Sequence, residues 1–86
     1  MARDAHVQAV GFAGLQVEEL EGQIEALRQR VDEVKATGIN AVGAEPSTDS
    51  GRAALVSIDL IKAALAEATE QCEAAKEHFN DYGRGI

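Results

Sequence analysis

The chain has 86 residues, 45% of them hydrophobic but only Phe12, Phe79 and Tyr82 aromatic, and 15 acidic against 8 basic side chains give a net charge of −7. That sign repels phosphate backbones and anionic headgroups, so binding of nucleic acid or of a membrane surface is not expected. Nor does any apolar run reach the ~18 residues that crossing a bilayer takes.

One small domain is the most such a chain can make. Much of its apolar content is Ala, which adds helix propensity but little burial, and that suits slender helices better than a globule.

The first predicted element is a helix over about residues 4–37. Asp4 complements the positive end of its dipole, Lys35 suits the last turn, and Gly38 is the expected terminator. Apolar residues recur in it every 3.5 positions. With Ile24 at heptad position a, the a sites are Val10, Val17, Ile24 and Val31, and the d sites are Ala13, Leu20, Leu27 and Val34. A 3.5-residue period keeps one stripe turned toward a partner helix along its whole length. The g-to-e pairs of a parallel homodimer would be Gln16 with Glu21, Gln23 with Arg28 and Arg30 with Lys35, and none is attractive. The stripe therefore packs first within the chain. Near the N-terminus Val7, Phe12 and Leu15 add apolar surface off the stripe, while Gly11 and Gly14 either fray the helix or admit a close neighbour.

Residues 38–50 are the expected connection, because Gly38, Asn40, Gly43 and Pro46 oppose continuous helix. That is longer than the usual two to eight residues between antiparallel helices. Either Ile39 and Val42 fold back over the end of the hairpin, or the loop is a recognition element.

The second helix is expected over about 51–82. The Ser47-Thr48-Asp49-Ser50 cluster supplies the cap, His78 lies near the negative end and Gly83 terminates. Its a sites are Ile58, Leu65, Cys72 and Phe79, its d sites are Ile61, Ala68, Ala75 and Tyr82, and Leu55 and Leu60 widen the stripe. Matching lengths predict an all-α, antiparallel two-helix hairpin. Its packing interface is expected to join Val10, Val17, Leu20, Ile24, Leu27, Val31 and Val34 to Ile58, Ile61, Leu65, Cys72 and Phe79. Val7, Phe12, Leu15, Leu55, Leu60 and Tyr82 remain for contacts between copies, most simply a homodimer closing a four-helix bundle.

Catalysis finds no support. His78 has acids nearby, but His6 is the only other histidine, and the Glu-x-x-His spacing of di-iron bundles does not occur. Cys72 and His78 lie on different helix faces and cannot act as nucleophile and base. No Gly-rich phosphate loop is present. Neither a cofactor nor a metal is expected, and Cys72 reads as a small buried hydrophobe or as one half of an intermolecular disulfide. The N-terminus lacks the plan of a secretory signal, which places the protein in the cytoplasm by default and leaves signal-independent export or incorporation into a virion open.

Two long helices of similar length, a Gly-containing turn near the middle, an acidic charge and the C-terminal Phe79/Tyr82 aromatics resemble the WXG-type helical hairpins of actinobacterial type VII secretion. The Trp-x-Gly turn is absent, and Tyr82 is followed four residues on by Ile86 rather than by an acid. The resemblance implies a dimer of hairpins acting as a secreted substrate, chaperone or partner-binding module. The residues themselves support a non-enzymatic protein–protein interaction module, with two alternatives. One is a structural subunit of a larger assembly, such as a phage or secreted particle. The other is an acidic inhibitor that imitates nucleic acid.

Overall fold

The computed structural model describes residues 2–85, which form two helices, α1 (Ala2–Val42) and α2 (Asp49–Gly85), folded into an antiparallel hairpin. Neither is long and apolar enough to cross a membrane.

Both helices outrun their expected bounds, and the reason is local. Gly38 does not end α1. It lies inside the helix at an a position, where a Cβ would come within 3.4 Å of Ile58 Cδ1 and Leu55 Cδ2. Its missing side chain therefore serves close helix approach. The terminator is Gly43, whose φ of 89° is the left-handed conformation that glycine adopts freely. Its N–H donates to the Ile39 carbonyl at 2.7 Å, closing the last turn.

Lys35 consequently stands well before the last turn and pairs with Asp59 across the hairpin. Ile39 and Val42 belong to α1 rather than to a loop. Only residues 43–48 connect the helices, an ordinary length for neighbours of this kind.

The start of α2 is capped from the expected cluster. Thr48 Oγ1 accepts from the Gly51 N–H at 3.1 Å, and the Arg52 N–H donates to the Thr48 carbonyl, the first turn of the helix. Arg52 also reaches back to the Pro46 carbonyl at 2.9 Å and pairs with Asp49. Gly51 is buried beneath this turn, where a Cβ would meet Pro46 Cβ at 2.8 Å. At the other end α2 passes through Gly83, which comes under Val10, and continues to Gly85.

Asp32 meets Lys62, Lys35 meets Asp59 and Glu21 meets Lys76, which sets a single register along the hairpin. The same register places Ile24 abreast of Cys72 and Val31 abreast of Leu65. The result is a rod of 65 × 16 × 13 Å with a radius of gyration of 19.2 Å. A globule of this length would have a radius near ~12 Å.

Candidate interaction surface

Two helices packed only on each other can cover one flank of a heptad stripe, and here they cover the a/e flank. Along α1 the a residues Val10, Val17 and Val31 are half-buried and Ile24 is 6% exposed, while the e residues Gly14, Glu21, Arg28 and Lys35 are half-buried beside them. On α2 the same pattern gives Ile58 and Leu65 at a, with Cys72 at 6% exposure, and Leu55, Thr69, Lys76 and Gly83 at e. Small residues make this the side of closest approach, because Gly38 lies beneath Ile58 and Gly83 beneath Val10. Leu55, expected to be free for contacts between copies, is thereby drawn into the hairpin against Gly38.

Ion pairs line this flank. Lys35 Nζ lies 2.7 Å from Asp59 Oδ1, Lys62 Nζ 2.6 Å from Asp32 Oδ1, and Lys76 Nζ 2.5 Å from Glu21 Oε1. Glu21 Oε1 is shielded from solvent, and the Lys76 ammonium meets it as a close ion pair off the line of a hydrogen bond. The ammonium holds the Glu21 carboxyl below the ordinary carboxylate range, with Glu73 adding to the effect, and the Glu21 carboxylate in turn raises Lys76.

The d flank is left open, which corrects the expected interface. Leu20 (47% exposed), Leu27 (52%) and Val34 (44%) on α1, with Ile61 (51%) on α2, do not pack between the helices, and Phe79 lies at the edge of the seam. Val7, Phe12, Leu15, Leu60 and Tyr82 are exposed, as is Val56, which the heptad reading had not singled out. The two d rows share one side of the rod. His6 Nε2 and Tyr82 Oη, both at d, hydrogen-bond across the hairpin at 2.7 Å, with their rings 5.7 Å apart. Around them His6, Ala9, Ala13, Ala75, Phe79 and Tyr82 line an apolar groove at the open end.

Charge follows the same division. No acidic residue of either helix stands at a, d or g, and Arg30 is the one Lys or Arg at d or g. The g residues Ala9, Gln16, Gln23, Thr37, Ser57, Ala64, Gln71 and His78 are all exposed. One face, running the length of the rod, is thus apolar at d apart from His6, uncharged at g except for Arg30, and open at Leu20, Leu27, Val34 and Ile61, with the small Ala13, Ala68 and Ala75 half-buried between them. The opposite flank carries the cross-hairpin ion pairs.

The 3.5-residue period marks the d residues as apolar but does not distinguish a contact inside the hairpin from an open face. The signal that separates the flanks is the placement of charge, since Glu21, Arg28 and Lys35 stand at e in α1 and Lys62 and Lys76 at e in α2, while no Lys, Arg, Asp or Glu stands at d. Glu21 and Lys76 are half-buried at e beside the seam, a place that their charge hides from an apolar periodicity.

Among the described residues no three His, Cys, Asp or Glu side chains come together as a metal-binding group. Comparison of the chain with protein families, with curated proteins and with solved structures finds no match.

Proposed function

We propose that this protein is a non-enzymatic interaction module that binds another protein by helix packing on its d/g face. The observation that carries the reading is the uncovered row Leu20, Leu27, Val34 and Ile61 on a face free of acidic residues. Contiguous exposed apolar surface of this kind marks a docking site in soluble proteins. The resemblance to WXG-type hairpins narrows the proposal to a partner, chaperone or substrate of type VII secretion.

A photo-crosslinking residue placed at Leu27 or Ile61 of the full chain, in the cells that make it, tests the reading. A discrete protein adduct is expected at both positions and none from Glu25, on the polar side. Absence of adducts at Leu27 and Ile61 would end it.

One observation favours a second reading, a structural subunit of a larger assembly. Phe12, Leu15, Val56 and Leu60 are exposed outside the d/g rows and would serve further lateral contacts. Rings, filaments or shells of the purified protein under the electron microscope would establish it, and small discrete particles would remove it.

A further inference from the structure

We propose that the occupant of the d/g face is a second copy of this chain, and that the two hairpins pack face to face about a two-fold axis along the rod, with their loops at the same end. The proposal rests on the interaction reading above and names its partner.

Surface area is the first argument. The chain exposes 6298 Å², where a compact monomer of its size exposes about 4900 Å². A side 65 Å long and 16 Å across presents an area on the order of 1000 Å², enough for the ~800 Å² per partner that a standard interface buries.

Charge is the second. Two copies each carrying −7 repel unless their acids stay out of the joint. Every helical acid stands at b, c, e or f, so a d/g joint keeps them out. A nucleic acid or a strongly charged protein would find only Arg30 to engage, whereas an identical uncharged face is a complementary partner. The long stem of Arg30 can lie along the joint with its guanidinium in water.

Shape selects the orientation. Level with one another in the hairpin, Leu20 stands beside Ala75 and Leu27 beside Ala68, bulky on α1 and small on α2. Rotation about the long axis lays α1 of one copy over α2 of the other at the same height. Leu27 then seats on the partner subunit's Ala68, and Leu20 on the partner subunit's Ala75. The neighbours across the joint run antiparallel, and each helix uses e toward one neighbour and g toward the other, as four-helix bundles require. The end-to-end alternative would set α1 on α1 and crowd bulky residues against bulky residues.

Sedimentation of the full chain at micromolar concentration should give twice the mass of the 9.1 kDa chain. Leu27→Glu should halve that mass while helicity is retained. Orientation is read separately from spin labels at Glu45→Cys in a Cys72→Ala background, which keeps the d/g face intact. Loops at one end put the labels within about 30 Å, two to three helix diameters, whereas opposed hairpins separate them by nearly the 65 Å length of the rod. A helical monomer, a dimer unaffected by Leu27→Glu, or labels a rod length apart would overturn the proposal. A monomer that still forms a Leu27 adduct with a different protein would overturn it while leaving the interaction reading intact.

Discussion

Two glycines occupy helical positions for opposite reasons. A Cβ on Gly51 would sit 2.8 Å from Pro46 Cβ and 3.1 Å from Thr48 Oγ1, inside the capped turn, whereas a Cβ on Gly22 would meet nothing within 4 Å. Gly51→Ala should therefore displace the Pro46 turn and lower the melting temperature. Gly22→Ala should raise stability by roughly 0.5–1 kcal/mol, the ordinary helix cost of glycine. Thermal melts of the two variants check the contrast, and equal shifts would mean that the turn yields. At this scale Ile24 and Cys72 were legible as seam residues, because an a position faces the partner helix whichever flank closes. The roles of Gly38 and Gly51 were not. Their neighbours Ile58, Leu55 and Pro46 lie across or around the turn, and no local pattern records that contact.

At the scale of the helix, the ends are set by single hydrogen bonds and the flank by charge. Gly43 stops α1 through its bond to Ile39, and Thr48 starts α2 through its bond to Gly51. Both residues were in plain view, but several glycines and hydroxyls competed for each role, so α1 was expected to stop at Gly38. The Glu21–Lys76 pair makes a prediction about pH. Glu21 is lowered in the folded state, so its contribution is present above the ordinary carboxylate range and is lost as pH falls through the folded value. Lys76 is raised, so its contribution is present at neutral pH and lost as pH climbs through its folded value. Glu21→Gln should lower the melting temperature at about pH 7, where the half-buried carboxylate pairs with Lys76, and the difference from the parent should shrink as the pH falls below the ordinary carboxylate range. Melts at neutral and acid pH test it, and an unchanged difference in acid would mean that Glu21 acts through packing instead.

The whole molecule is a rod whose only buried hydrophobic side chains, among the described residues, are Ile24 and Cys72. Helices owe most of their stability to tertiary packing, and one half-covered seam supplies little of it. The melting temperature should therefore rise with protein concentration, since association draws on the folded state alone. Calorimetry across a hundredfold range of concentration measures this, and a constant value would show that the hairpin stands by itself. The all-α hairpin and its heptad a positions were determined by the sequence alone, because a 3.5-residue period and paired stop signals are written in consecutive residues. Which flank of the stripe closes within the chain was decided by tertiary structure. That choice turns on how near two backbones come at Gly38 and Gly83 and on whether Lys35, Lys62 and Lys76 find their acids, distances that exist only once both helices are in place.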